Sequence, residues 1–456
     1  MKQMPPVFTT SHIGKEPPLF QTTVQLFGRT FSGAPCTKKR EAKASCCYAA
    51  VDFIVQSRTL INPISSMNSL SKVINQLCNA SKTIFDECQR IVYDHLLTQS
   101  QFCIEIQRSS KVIAAIFLYD ASCSKCFLLS WATGNKCIHG DSISLEGRAV
   151  NDCHAEILAR KGLLRFLYQQ IQLYARNRFM SIFVSDGDRL KLRSSLSFHL
   201  FINTAPCGDG RTFSFASEES DKRNGSNHDP FYSKQRGLLR TKIEDGEGTV
   251  LIPCDLSRQT VDGVFGGERL RVMSCSDKIL KWNVLGLQGC LLSCMINPIF
   301  LCSITIGQLF HYGNLCRSLC CRMKSTNAEV RANHPYLYNC SMSSGRLISK
   351  SCHTATNWNA SDCTVEVIDS QTGRLHNSKA SSRLCKLSFF QIFVETLRLI
   401  QPSSPVPSQE LTYAEAKCRC LDYIKRRSLF RKNLTENGCG HWLTKPPEEE
   451  MFALCE

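Results

Sequence analysis

The sequence predicts a globular α/β protein, and three observations predict it. The chain has 456 residues, 43% hydrophobic and 21% charged, which excludes wholesale disorder and a collagen-like chain and sets an expectation of two to four domains. Apolar residues recur at helical spacing after residue 151, at Ile157, Leu158, Leu163, Leu164, Phe166, Leu167 and Ile171, so an amphipathic helix is expected there. An apolar stretch from His199 runs as a strand into Pro206-Cys207 and a glycine turn. A helix followed by a strand in one globular chain gives the α/β class.

Residues 1–17 are Pro-rich and aperiodic and read as a disordered tail. Residues 18–55 read as strand, strand, helix. Phe20 to Leu26 is apolar and β-branched, Arg29 to Gly33 follows the turn at Gly28, and Glu41 to Val55 is Ala-rich. Lys38, Lys39, Arg40 and Lys43 crowd that helix start, where lysines and backbone dipole together favour anions; taken alone, such a run reads as a solvated charged face. Residues 56–100 read as a linker with an amphipathic helix from Ile74 to Leu96. From 101 to 456 no Pro/Gly/Ser-rich break is long enough to part another domain, and no repeat is found.

The formal net charge of +16 suits a polyanionic partner, nucleic acid first. The 27 cysteines are an odd count below the density of disulfide scaffolds. The N-terminus lacks an apolar signal core, so thiols are expected to stay reduced and free to bind metal. The most apolar window, Leu285 to Phe310, is broken by Gln288, Asn297, Pro298 and Gln308; it reads as a buried helix followed by a strand, and no membrane association is expected.

Asn151-Asp152-Cys153-His154-Ala155-Glu156 opens the amphipathic helix, which puts His154 and Glu156 in its first turn. An imidazole can ligate zinc there while a carboxylate two positions on moves protons beside the metal-bound water. Alone, such a triplet is an ordinary exposed helix start. Pro206-Cys207 supplies the second half of the H-x-E…P-C signature of zinc nucleotide deaminases. Its usual C-x-x-C continuation is missing because position 210 is Gly, so a third ligand must come from elsewhere. Cys275, which ends an apolar stretch and precedes a helix, is the candidate, and the helix N-terminus and the metal together are expected to lower its pKa. Three ligands leave the open position of a catalytic zinc.

With NDCHAEILARKGLLRFLY, LFINTAPCGDGRTF, GLLRTKIEDGEGT and MSCSDKILKWNVLGLQG around these residues, the chain from about 101 to 456 resembles the deaminase domain of adenosine deaminases that act on RNA. TGNKCIHGDSISLEG, the Cys320-Cys321 pair and HWLTKPPEEEMFAL are most similar to the double-stranded-RNA-specific (interferon-inducible) type. Residues 18–55 resemble the second half of a double-stranded-RNA-binding domain, with Lys39, Arg40 and Lys43 at its RNA-facing positions; its first helix and first strand find no counterpart.

The resemblance implies an α/β zinc-dependent deaminase fold, a central mixed sheet with helices on both faces and a C-terminal helical part, preceded by a partial double-stranded-RNA-binding domain, and hydrolytic conversion of adenosine to inosine in double-stranded RNA by base flipping. Glu156 then shuttles protons, and His154, Cys207 and Cys275 hold the zinc. Glu247, beside Gly246 in the loop from Ile243 to Thr249, matches the flipping residue, and Arg211 and Asn135 lie near the substrate strand. The resemblance further implies an inositol hexakisphosphate held by Lys136, Asn151, Arg160, Lys161, Lys278, Lys281, Trp282, Gln288, Lys386, Tyr413, Lys417, Tyr423, Arg427, Trp442 and Lys445, with Asp152 and Lys278 linking it to the zinc. Thr444 stands where some members carry an acid.

Cys320, Cys321, His228 and His334 match a second, structural zinc site of the interferon-inducible type, although their spacing fits no standard zinc finger. Cys46-Cys47 is an adjacent pair of the kind that 27 cysteines produce by chance. Because no zinc or shuttle residue is missing, an active enzyme is favoured over a catalytically silent RNA-binding relative. Editing of transfer RNA is disfavoured by the attached RNA-binding segment. By resemblance a nuclear location is expected, with the cytoplasm as a second compartment, and a homodimer is expected.

Overall fold

The computed structural model describes residues 7–13, 18–26, 29–43, 45–46, 91, 112–212, 225, 228, 230, 237–244, 248–325, 327–340, 353–400 and 411–454. The chain forms two compact units, Met1–Met67 and Asn68–Glu456.

In the first unit β1 (Val7–Ile13), β2 (Leu19–Leu26) and β3 (Arg29–Ser32) form an antiparallel sheet in that order. A helix begins at residue 39, and Val24 and Cys46 form a small core against which Phe8 and Phe31 pack. β1 corrects the expectation of a disordered tail and of a missing first strand. Its seven residues pair with β2 from Val7↔Gln25 to Ile13↔Leu19. Val-Phe-Thr-Thr-Ser-His-Ile carries little apolar periodicity of its own; cross-strand pairing and the Phe8 contact hold it.

The second unit is built on β4 (Ile113–Asp120), β5 (Lys125–Thr133), β6 (Phe183–Asp186), β7 (Arg189–Leu192), β8 (Leu196–Thr204), β9 (Arg240–Ile243), β10 (Thr249–Leu251), β11 (Arg271–Met273), β12 (Leu301–Gln308), β13 (Tyr336–Asn339), β14 (Thr354–Asn359), β15 (Val365–Asp369) and β16 (Arg374–Leu375). Eight of these make a mixed sheet in the order β13-β12-β8-β4-β5-β14-β15-β16. β12 runs parallel to β13 and β8, and the other pairs are antiparallel. The period-two alternation of β4 feeds both faces. Ala114, Ile116 and Leu118 enter the main core, while Ile113, Ala115 and Phe117 meet Trp131 and Phe201 on the other side. Of the helix expected at 74–96 only Ile91 is described; it is helical and packs on that second face.

The helices that build the site are α1 (Ala155–Arg176), α2 (Cys275–Leu285), α3 (Lys386–Ile400), α4 (Tyr413–Cys418) and α5 (Leu421–Glu436). α1 and α3 pack on each other over the sheet, and α5 packs on α2. The apolar window resolves into a short helix, Gly289–Leu292, and then β12, as its polar breaks imply. Cys294 and Cys420 form a disulfide, with Cα atoms 5.5 Å apart. The expectation that thiols stay reduced fails at this pair, which lies 126 residues apart in sequence and meets only through folding. No helix among the described residues is long and apolar enough to cross a membrane.

Candidate metal centre and cationic cage

Three segment ends converge on one point. His154 is the N-cap of α1, Cys275 is the first residue of α2, and Cys207 follows the end of β8. His154 Nδ1 lies 3.9 Å from Cys207 Sγ and 3.4 Å from Cys275 Sγ, and all three ligand atoms fall within 4.8 Å. A tetrahedral zinc with bonds of roughly 2.0–2.3 Å separates its ligands by about 3.3–3.8 Å, so this donor set fits the ion. Glu156 Oε2 is 3.5 Å from Cys275 Sγ, and burial raises its carboxyl above the ordinary value. Hydrogen bonding from Cys275 and the nearby His154 hold the Cys207 thiol well below its usual range. Burial, with the hydrogen bond to Cys207, pushes the Cys275 thiol up.

Gly208 is required where it stands. Its φ is 104°, and a Cβ there would lie 2.2 Å from Ser274 Oγ. Beneath the cluster, Asp152 accepts from Lys242 Nζ at 2.6 Å and from Lys278, and its Oδ1 accepts from His154 N at 3.1 Å. Burial alone would raise the Asp152 carboxyl, yet the two lysines hold it well below its ordinary value. Lys242 also donates to Cys275 Sγ at 3.6 Å. Sequence reasoning passed over Lys242 because a lysine in the polar strand Arg-Thr-Lys-Ile looks like an ordinary solvated charge. It is 2% exposed, and only its tertiary partners explain its burial.

The second Cys/His set also converges. His228 Nδ1 is 3.1 Å from Cys320 Sγ and 3.3 Å from Cys321 Sγ, the two sulfurs are 3.5 Å apart, and His334 Nδ1 is 3.6 Å from Cys321 Sγ and 3.4 Å from His228 Nδ1. Five edges of 3.1–3.6 Å describe a nearly closed tetrahedron for zinc. His228 Nε2 lies 2.9 Å from the Pro335 carbonyl, which fixes the ring.

A third feature is cationic. Burial and the surrounding Arg431, Arg427, Lys417 and Arg160 push Lys281 well below its ordinary pKa. Burial pushes Arg160 down to about 10 and, with Lys445 and Lys386 nearby, Lys161 down to about 8. Arg160 lies over Trp282, Lys281 over Trp442 and Lys417 over Tyr413. So many cations in one buried region fit a ligand of many phosphates. Tyr423 and Tyr413 stand beside Arg160, while Lys136 and Asn151 are both buried and the Lys136 carbonyl accepts from Cys153 N at 3.0 Å just ahead of α1. Gln288 is spent on backbone, accepting from Ile299 N and donating to Leu285 O. The segment carrying Tyr413, Lys417, Tyr423 and Arg427 forms α4 and α5, parted at Arg419-Cys420. Two carboxylates that the sequence reading missed also enter: Glu449 pairs with Lys386 and Asn151, and Glu450 with Lys417.

Of the RNA-facing candidates, Glu247 and Gly246 lie outside the described residues. Arg211 is half-buried and donates to Thr204 Oγ1 at 3.2 Å, and Asn135 is half-buried in the loop after β5. Lys39, Arg40 and Lys43 are exposed, with Lys39 over Phe20 and Lys43 over Phe8.

Residues 130–446 match the family described as the adenosine-deaminase (editase) domain. The chain belongs to that family. Residues 1–54 of this adenosine-deaminase chain match the double-stranded RNA binding motif. It is 34% identical, over 96% of its length, to the double-stranded RNA-specific adenosine deaminase of Mus musculus. It is 36% identical over 95% to the double-stranded RNA-specific editase B2 of Mus musculus, and 33% identical over 96% to the double-stranded RNA-specific editase Adar of Drosophila melanogaster. The chain spans 40%, 58% and 65% of those relatives' lengths.

Proposed function

We propose that the chain is a zinc-dependent RNA-editing hydrolase that converts adenosine and water to inosine and ammonia in double-stranded RNA. The observation that carries this reading is the convergence of His154, Cys207 and Cys275 within 4.8 Å, with the Glu156 carboxylate 3.5 Å from Cys275 Sγ. Zinc held by those three residues would supply the Lewis acidity that ionises a water near neutral pH. Glu156 takes the proton from that water and delivers protons to the purine ring and the departing amine. Asp152 and Lys242 hold His154 and Cys275 from behind. The reacting base is flipped from the duplex, with Glu247 and Gly246 at the gap and Asn135 and Arg211 along the strand. Lys39, Arg40 and Lys43 bind phosphates of the same duplex.

Inositol hexakisphosphate occupies the cage around Lys281, Arg160 and Lys417, and a structural zinc occupies His228, Cys320, Cys321 and His334. The like-charge crowding on Lys281 supports the first and the tetrahedral edges support the second. Nuclear residence and a homodimer complete the reading, on family likeness alone.

The test is incubation of purified protein with a long perfect RNA duplex and with its single strands, followed by sequencing for A-to-G changes. Changes confined to the duplex are expected. A folded, zinc-loaded protein that leaves the duplex unedited is a silent RNA-binding relative, and the proposal fails.

A further inference from the structure

The two inner cysteines share a local signature. Cys207-Gly208-Asp209 and Cys275-Ser276-Asp277 each place an aspartate two residues past the thiol, and both aspartates are at most 1% exposed. Each meets an arginine from one turn. Arg317 Nε donates to Asp209 Oδ2 at 2.8 Å, and Arg322 Nη2 donates to Asp277 Oδ1. The arginines bracket the wide turn Arg317–Cys321, closed by Arg322 N donating to the Arg317 carbonyl at 3.1 Å. That i→i+5 closure sets residues five apart side by side, so one rigid turn reaches both aspartates.

We propose that Arg317 and Arg322 form a clamp that positions Cys207 and Cys275 for the metal, an inference that rests on the zinc reading above. A buried ion pair costs desolvation and seldom adds stability over apolar packing, so two of them on one turn point to a geometric role. The segments they hold are also joined directly. Ser276 N donates to the Cys207 carbonyl at 2.9 Å, and Gly210 N donates to Ser276 Oγ at 3.2 Å. Asp209 Oδ1 accepts from Gly237 N at 2.8 Å, Asp277 Oδ2 accepts from Arg240 N at 3.0 Å, and Arg322 Nη1 donates to the Gly237 carbonyl at 3.2 Å. The clamp thus also fixes the start of β9, whose Lys242 faces Cys275. With one arginine gone, its C-x-D segment can rotate and carry the thiol off the ligand position while the other stays.

The test is the double replacement Asp209→Asn with Arg317→Met, which removes both charges at once and leaves an acceptor for Gly237. Turnover of duplex RNA is measured alongside zinc release to a chelator. The release phase absent from His154→Ala identifies the inner ion. That phase is expected to weaken in affinity by roughly 10- to 100-fold, as when a group orienting a metal ligand is lost. The kcat is expected to fall about 100-fold while KM for the duplex stays near the parent's, because the ligands are misplaced but the RNA surface is intact. Arg317→Lys, which keeps the charge but loses the fork, gives a smaller loss of both and serves if the double variant does not fold. Parent-like inner-zinc release and kcat in either folded variant overturn the clamp. A parent protein with no such zinc phase overturns the zinc reading itself, and the clamp with it.

Discussion

Lys242 shows what one buried charge does here. Its ammonium faces Asp152 and Cys275, so Lys242→Met leaves Asp152 sharing a single lysine and takes the cation away from the thiol. The expected cost is about 3 kcal/mol in urea unfolding, with reduced zinc content. His199 gives a pH signature. It sits between Ser197 Oγ and Ser303 Oγ, and burial lowers its pKa to about 4. Its folded pKa is below the unfolded value near 6.5, so the unfolded chain binds the proton first as pH falls. The stability from a neutral His199 is therefore full above about pH 6.5 and is lost as pH drops toward 4; between pH 7 and 5 the loss is about 2 kcal/mol. Chemical unfolding of the parent against His199→Gln at the two pH values checks this, with the variant lacking that share of the slope.

At the scale of elements, the site depends on how segments end. Gly208→Ala places a Cβ against Ser274 in a backbone with φ of 104°, so the loop after β8 must move. We expect a loss of at least ~1–3 kcal/mol, with Cys207 drawn from the metal and zinc stoichiometry reduced, read by thermal unfolding and metal analysis. The starts of α1 and α2 and the strand ahead of Cys207 were legible because each is marked by local chemistry: apolar periodicity, Pro-Cys at a strand end, an apolar stretch ending at Cys275. β1 was not legible, since Val7–Ile13 gains its order from seven cross-strand partners. The carboxylates Asp209, Asp277, Glu449 and Glu450 were also missed. Their arginine and lysine partners lie between 33 and 108 positions away, and no pattern along the chain joins them. The outer Cys/His set was visible as two thiols and two imidazoles but gained its weight from family likeness, because its spacing fits no standard zinc finger and its geometry exists only in the fold.

Over the whole molecule, a +16 chain carries a buried cationic cage in one unit and exposed Lys39, Arg40 and Lys43 in the other. Two polyanions of different kind are expected, and they separate by experiment. Inositol hexakisphosphate added to protein freed of it should raise the thermal midpoint, since the crowding on Lys281 is relieved only in the folded state. Duplex affinity should fall by tenfold or more, to the order of 10³ for six phosphate contacts, between 50 and 200 mM salt, measured by filter binding. The central proposed act is proton transfer by Glu156 beside a metal held by His154, Cys207 and Cys275. The most direct measurement compares parent and Glu156→Gln on the same RNA duplex at equal zinc content. The account predicts that the parent converts adenosine to inosine while the variant, still folded and zinc-loaded, is slower by roughly 10²–10⁴-fold. A zinc-loaded Glu156→Gln protein that edits at the parent's rate would contradict it.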